Sequence, residues 1–134
     1  MIFDTRACEL GEGPLWHPLR GELFWFDILN RTLHSQAQSW TFAEYVSAAG
    51  WISRDELLVA SETGLFRLNL VTGDRSPVAS AGTPETRSND GRADRQGGLW
   101  FGTMGKKAEK DAGAIWRWYK GELRQLYPGV TIPN

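Results

Sequence analysis

Short apolar runs recur along the chain, and each is followed by a run in which apolar and polar residues alternate. The apolar runs cover residues 21–27, 55–61 and 98–103. The alternating runs cover residues 31–34, 64–70 and 114–119. A continuous apolar run of this length is typical of a strand covered on both faces, and alternation is typical of a half-buried strand. The pattern predicts pairs of β-strands, with the apolar strand innermost in each unit and the alternating strand beside it.

These strand pairs form a repeat. Leu23, Leu57 and Leu99 mark equivalent positions and lie 34 and 42 residues apart. A period near ~40 residues with several strands per unit is typical of β-propeller blades. Glycine and proline interrupt the chain too often for long helices. The predicted fold class is therefore all-β, a β-propeller with about three four-stranded blades.

Three blades are fewer than a closed propeller contains, since closed rings have about 4–8. A partial ring exposes unpaired strand edges and uncovered sheet faces, which favour association with another chain. The sequence therefore predicts either the front half of a larger propeller or a half that a partner completes. Self-association through the open blade edges is the expected behaviour of the isolated chain.

Composition and charge narrow the classes of partner. The chain is 41% hydrophobic with a net charge of −1, which indicates a globular domain and argues against nucleic acid as a partner. No apolar run is long enough to cross a membrane, so no membrane partner is expected. Cys8 is the only cysteine, so an intrachain disulfide is excluded, and a cytoplasmic location is expected.

Residues 87–92, with the sequence Arg-Ser-Asn-Asp-Gly-Arg, contain the most distinctive polar cluster. Arg87, Asn89 and Asp90 stand side by side before an apolar strand, and we expect them on a loop that positions polar groups for a small ligand. The alternative is an ordinary turn, because Asn, Asp and Gly favour tight turns. Residues 94–98 are expected to form only the turn that leads into the next strand.

Other polar residues lie apart from this cluster. Glu12 stands between two glycines and is either an ordinary turn residue or part of an oxygen-rich pocket. Asn134 is the last residue. His17 and His34 have no second His or Cys at ligand spacing, so we expect both at the surface or at a strand edge.

Five short segments, in this order along the chain, resemble the gluconolactonase or senescence-marker-protein (regucalcin) family of six-bladed β-propellers. They are residues 10–16, 26–28, 87–92, 102–104 and 132–134. The resemblance covers the chain from end to end and implies that residues 1–134 are the N-terminal half of a six-bladed propeller. It further implies hydrolysis of sugar lactones with one divalent metal ion (Ca, Mg, Mn or Zn), in an enzyme that is active only as a complete propeller.

The resemblance also implies roles for individual residues. Glu12 and Asn134 fall where the family has metal ligands. Arg87 and Asn89 fall on the residues that hold the substrate, and Asp90 is the neighbouring carboxylate of the same substrate-binding segment. The third metal ligand of the family is an Asp that is also its candidate general base. That residue is expected beyond position 134, so no catalytic base is assigned in this chain.

One departure from the family concerns specificity. Lys106 and Lys107 stand just after Gly-Thr-Met, where some members carry a substrate-binding acid. The two lysines favour a lactone with an anionic group, or else they are a solvated pair.

Two other functions stay open at this point. One is a non-catalytic half-propeller that binds a metal, a sugar or a protein partner, including an assembly module. The other is an esterase that acts on non-sugar lactones or phosphoesters, because a propeller fold alone does not decide its chemistry.

Overall fold

The computed structural model describes residues 11–132, with side chains from Pro14 onward. Within this range the chain forms twelve β-strands and no helix. The strands are β1 Gly11–His17, β2 Glu22–Asp27, β3 Thr32–Ser35, β4 Ser39–Thr41, β5 Val46–Ser53, β6 Glu56–Ser61, β7 Gly64–Asn69, β8 Arg75–Ser80, β9 Thr86–Ala93, β10 Leu99–Gly105, β11 Gly113–Tyr119 and β12 Glu122–Val130.

The strands form three four-stranded antiparallel sheets, and each sheet uses four consecutive strands in chain order. Sheet 1 contains β1–β4, sheet 2 contains β5–β8 and sheet 3 contains β9–β12. The predicted fold class, all-β with about three four-stranded blades, is confirmed. In the described part of the chain, no helix could span a membrane.

The apolar strands β2, β6 and β10 are second in their sheets, so the expectation that they are innermost is wrong. The first strands β1, β5 and β9 contact one another where the sheets meet. Strand β6 shows why the second strands are apolar. Leu57 and Val59 belong to a core between sheets 1 and 2, whereas Leu58 and Ala60 belong to a core between sheets 2 and 3. Both faces of β6 are therefore covered, as its composition predicts.

Each first strand contains a β-bulge against its second strand. In β1 the register shifts between Glu12 and Leu15, and in β5 it shifts between Val46 and Ala48. In β9 it shifts at Asn89 and Asp90, which together lie opposite the single residue Gly102 of β10. Each shift adds one residue to the first strand. A β-bulge disrupts the hydrogen-bond ladder locally and redirects side chains, and such bulges often lie beside active sites.

The sequences Thr-Gly-Asp at residues 72–74 and Lys-Gly-Glu at residues 120–122 predict hairpin turns, and the structure confirms both. Gly73 has a φ of 79° in the turn between β7 and β8. Lys120 and Gly121 have φ values of 49° and 80° in the two-residue turn between β11 and β12. Positive φ at both central positions is the requirement of a type I′ turn, which matches the twist of the strands.

Candidate functional site

The polar segment 87–92 lies inside strand β9, so the expectation of a loop is wrong. Arg87 and Ser88 pair with Met104 and Thr103 of β10, and the bulge follows directly at Asn89 and Asp90. The residues that suggested a turn instead form this bulge. Strand pairing with β10 and packing against β5 outweigh the local turn preference of Asn-Asp-Gly.

Gly91 closes the bulge and has no room for a side chain. A Cβ atom at this position would lie 2.8 Å from the Cβ of Ala48 and 2.8 Å from the carbonyl oxygen of Trp100. Both neighbours are strand residues, so neither moves easily. Close approach of β9 to strands β5 and β10 therefore requires glycine here.

Arg87 and Asn89 are buried, each with about a tenth of its surface exposed. The Arg87 Nη1 donates to the carbonyl oxygen of Ser88 at 2.9 Å and approaches the Oδ1 of Asn89 at 3.5 Å. Asp90 is half-buried, and its Oδ1 accepts the N–H of Gly91 at 2.9 Å. The structure thus places Arg87 beside Asn89, with Asp90 next along the same bulged strand, and their role in substrate binding stays a prediction.

Two cavities adjoin this segment. One, of about 260 Å³, is lined by Pro14 and Trp16 of β1, Ala49 of β5 and residues 90–93 of β9. The other, of about 380 Å³, lies on the uncovered face of sheet 3 and is lined by Asp90, Trp100 and Tyr127 among others. Of the three candidate residues, Asp90 is the one that lines both cavities.

The predicted metal ligands are outside the described side chains. Glu12 pairs with Phe26 through its backbone in β1, but its side chain is not described, and Asn134 and Cys8 lie outside the described residues. Among the described residues, no group of three or more His, Cys, Asp or Glu side chains could hold a metal ion. The two predicted ligands stay predictions.

Lys106 is held in an ion pair at the end of the sheets where the first strands begin. Its Nζ lies 2.7 Å from the Oε2 of Glu62. Burial raises the pKa of Glu62, but hydrogen bonds from Lys106 and from the backbone N–H of Tyr45 outweigh it, so the pKa is lowered overall. Lys107 is exposed. The two lysines therefore differ, because Glu62 already neutralises one of them.

His17 ends β1, an edge strand of sheet 1, but it is fully buried, so the expectation of a surface position is wrong. Its Nε2 is 2.8 Å from the carbonyl oxygen of Ser53, and its ring stacks on Trp51 with the centroids 5.1 Å apart. His17 thus joins sheets 1 and 2, and an isolated His in the sequence gives no signal of such packing. His34 is half-buried on β3, and its Nδ1 is 2.7 Å from the Oγ of Ser39.

The turn at residues 94–98 is confirmed, and it contains a structural anchor that sequence reasoning missed. Asp94 accepts hydrogen bonds from the N–H of Gly98, the Nε1 of Trp100 and the guanidinium of Arg117, at 2.8–3.0 Å. The bond from Gly98, together with Arg117 and Trp100, outweighs burial and lowers the pKa of Asp94 to about 2. The carboxylate ties the β9–β10 turn to β11.

Sequence reasoning also missed two buried serines between sheets 2 and 3. Ser47 donates to the Oγ of Ser88 at 2.6 Å, and Ser88 donates to the carbonyl oxygen of Ala60 at 3.1 Å. Single serines within strands form no recognisable motif, so no sequence signal could have found them.

The chain matches one family of known proteins. The family described as "SMP-30/Gluconolactonase/LRE-like region" matches residues 10–134. A pentonolactonase of Haloferax volcanii is 34% identical over 139 residues, and a 6-deoxy-6-sulfogluconolactonase of Pseudomonas putida is 28% identical over 134 residues. The first match covers 99% of this chain and 47% of the relative, and the second covers 93% and 46%.

A solved structure is similar over nearly the whole chain. The calcium-binding protein regucalcin from Agrobacterium tumefaciens is 39% identical, with a TM-score of 0.93. The match covers 98% of this chain and 47% of that structure. The chain therefore spans about half the length of the curated relatives and of the structure that it matches.

Proposed function

Because this chain belongs to the SMP-30/gluconolactonase/LRE-like family, we propose that it provides the substrate-binding half of a metal-dependent sugar lactone hydrolase. The observation that carries the proposal is the cluster of Arg87, Asn89 and Asp90 at the bulge of β9, where Asp90 lines a cavity that β1 and β5 also line. We further propose that residues 1–134 are the N-terminal half of a six-bladed propeller and that the whole ring is needed for turnover.

The proposed roles follow from the chemistry of the side chains. Lactone hydrolysis transfers an acyl group to water. Arg87 donates several hydrogen bonds to substrate oxygens, and Asn89 both donates and accepts, as a polyol requires. Asp90, in the wall of the cavity, accepts a hydrogen bond from a substrate hydroxyl. The bond from Arg87 to the carbonyl oxygen of Ser88 holds the guanidinium in place before substrate arrives.

Glu12 and Asn134 would hold the metal ion, and their oxygen atoms suit a hard divalent cation such as Ca²⁺, Mg²⁺ or Mn²⁺, with Zn²⁺ as a further candidate. When bound, the ion polarises the lactone carbonyl and lowers the pKa of a bound water. The backbone of β1 carries position 12 two residues before Pro14, which lines the cavity that Asp90 also lines. That placement is compatible with the proposed ligand set.

The first experiment measures hydrolysis of a five- or six-membered sugar lactone with and without chelator. The 134-residue chain is compared with a version extended past Asn134. We expect metal-stimulated turnover in the extended protein and almost none in the chain alone, because the third ligand and the base are expected downstream.

Chelator-resistant turnover would contradict the metal mechanism. Metal or sugar binding without turnover in both proteins would favour the non-catalytic binding module, and cleavage of simple esters or phosphoesters alone would favour the esterase.

The second experiment separates metal binding from substrate binding in the extended protein. Glu12→Gln keeps the size of the side chain but removes a charged ligand, so calorimetry should show weaker metal binding. Arg87→Ala should keep metal binding and raise KM for the lactone. Unchanged metal affinity in Glu12→Gln would remove Glu12 from the ligand set.

The substrate class is the third part of the proposal. The name of the Pseudomonas putida relative gives a sulfonated, and hence anionic, lactone as its substrate. Glu62 neutralises Lys106, so of the two lysines we propose Lys107 as the one that binds an anionic group. A panel of lactones with and without a carboxylate, run on the extended parent and Lys107→Glu proteins, tests this. Unchanged preference would show that the lysines form only a solvated pair.

Self-association of the isolated chain is also proposed. On the uncovered face of sheet 3, Tyr127 is 60% exposed and lies beside Trp100 and Ile115. An exposed apolar face of this kind favours association. Light scattering should show dimers or larger species, and a stable monomer over a wide range of concentrations would contradict the proposal.

A further inference from the structure

Beneath the candidate substrate-binding residues lies a buried hydrogen-bonded pair of serines. Ser47 and Ser88 are both fully buried, and their hydroxyl oxygens are 2.6 Å apart. Ser88 in turn donates to the carbonyl oxygen of Ala60 at 3.1 Å. Each hydroxyl therefore has an acceptor in the interior, where an unmade hydrogen bond is costly.

The pair joins two β-bulges. Ser47 is the extra residue of the β5 bulge, because Val46 and Ala48 pair with the adjacent residues Ser61 and Ala60. In β9, Ser88 pairs with Thr103 and is the last residue in register before the bulge at Asn89 and Asp90. A bulge disrupts the ladder locally, so side-chain bonds fix its geometry more than they would in a regular strand.

Ser88 also stands between the two candidate substrate-binding residues. Successive side chains in a strand point to opposite faces. Ser88 faces sheet 2, while the side chains of its two sequence neighbours, Arg87 and Asn89, approach each other at 3.5 Å. A shift of Ser88 toward or away from sheet 2 therefore moves both neighbours together.

From this geometry we propose that Ser47 and Ser88 are positioning residues: their hydrogen bond sets where Arg87 and Asn89 stand in the β9 bulge beside Asp90, which lines the candidate ligand cavity. The link to lactone binding rests on the proposed function, but the positioning itself does not. Neither serine touches a substrate in this arrangement. Loss of the bond releases β9 at its bulge and loosens both substrate-binding side chains at once.

The test uses nitrogen-15 NMR of the 134-residue chain, with the Asn89 side-chain amide and the Arg87 Nε–H as probes. Ser88→Ala should shift both signals and speed their exchange with water by about threefold to tenfold, as expected for the loss of one buried hydrogen bond. Ser47→Ala removes the same bond but keeps the bond from Ser88 to Ala60. Ser47→Ala should shift the Asn89 and Arg87 signals and speed their exchange with water in the same direction. The double variant should change the signals little more than Ser88→Ala alone, because both substitutions remove the same bond.

Ser35→Ala is the matched control. Ser35 is fully buried on β3 and accepts the N–H groups of Ala37 and Gln38, so its loss removes comparable bonds far from β9. It should leave the Asn89 and Arg87 signals in place. If Ser88→Ala does not fold, Ser47→Ala decides. Unchanged probe signals in the folded serine variants, or equal changes in Ser35→Ala, would overturn the proposal.

A kinetic measurement on the extended protein separates this inference from the proposed function. Ser88→Ala should raise KM for the lactone about tenfold and change kcat much less, because substrate-binding groups lose their preset position. A fall in kcat at constant KM would contradict positioning of substrate-binding groups. If no lactone is hydrolysed by any form, the proposed function fails, while the NMR result still decides whether the serines position Arg87 and Asn89.

Discussion

Strands β6 and β9 contact each other in the structure, and each buries a run of consecutive side chains, yet the buried side chains differ in chemistry. Strand β6 buries apolar side chains in two cores, one on each face. Strand β9 buries Arg87, Ser88 and Asn89. Burial alone therefore does not distinguish a core strand from the strand that carries the candidate site. The distinction lies in whether a buried side chain packs against apolar neighbours or is held by hydrogen bonds.

The cost of burying polar groups explains the detail of β9. A buried polar group without a partner destabilises the fold. Arg87 donates to a backbone carbonyl and Ser88 to another, while Gly91 lets the strand approach β5 closely. The buried residues of β9 are therefore held by specific hydrogen bonds and by close packing at Gly91. The side chains of β6 need only fill the space in their two apolar cores, so the two strands should respond differently to substitution.

The largest expected effect is in β6. Leu57 is fully buried in the core between sheets 1 and 2, so Leu57→Ala should lower the free energy of unfolding by about 2–5 kcal/mol. Urea denaturation of the chain measures it. Val71→Ala is the control, since Val71 is 70% exposed and its truncation should cost less than ~0.5 kcal/mol. A decrease of less than ~1 kcal/mol in the free energy of unfolding of Leu57→Ala would show that packing of β6 contributes little to the stability of the core.

An intermediate effect is expected in β9. Gly91→Ala forces a methyl group against Ala48 and the carbonyl oxygen of Trp100 and should cost about 1–3 kcal/mol. Gly50→Ala on β5 is a matched control. Its new Cβ would lie 3.6 Å from Ala93 and Leu99, so it should be neutral or stabilising by up to ~1 kcal/mol. Equal stabilities of the two variants would remove the steric explanation for Gly91.

The smallest effect concerns Asp94, in the turn that follows β9. Its pKa is lowered to about 2 from an ordinary value of 3.8. A lowered folded-state pKa contributes stability that is complete above about pH 4 and is lost as the pH falls toward 2. Asp94→Asn should therefore be less stable at neutral pH and show a shallower loss of stability between pH 4 and 2.

Arg117→Gln tests the same anchor from the other side. It removes the charged partner of Asp94 but keeps the bonds from the backbone, so it should reproduce part of the Asp94→Asn effect. Thermal unfolding across this pH range measures both variants. Parallel stability profiles for the parent and Asp94→Asn proteins would show that the anchor carries no pH-linked stability.

Most of the fold could be predicted from the sequence, because the second strands carry a strong signal. The apolar run in β6 and the turns at Gly73 and Gly121 were found from pattern alone, and they define the repeat. The first strands were not found. Strand β9 begins Thr-Arg-Ser-Asn-Asp-Gly, which local propensity assigns to a turn. Contacts with β5 and β10 decide its conformation, and such contacts are not visible in a local pattern.

The site was predicted in part. Arg87, Asn89 and Asp90 were named from their sequence and lie together, although on a strand. Their roles, and those of Glu12 and Asn134, stay predictions. His17 was wrongly expected at the surface, because a lone His carries no information about the stacking and backbone partners that bury it. The serine pair was missed for the same reason.

The order of strands within each sheet has a consequence for how the chain folds. Every sheet is built from four consecutive strands, so its backbone pairing closes only short loops. Pairing of sequence neighbours is fast, because little chain entropy is lost before the contact forms. We therefore expect docking of one finished sheet on the next to be the slow event, since it must align Leu57 with its core and Ser47 with Ser88. The bulged first strands are the surfaces that meet at that step, so we expect the candidate site to be completed last.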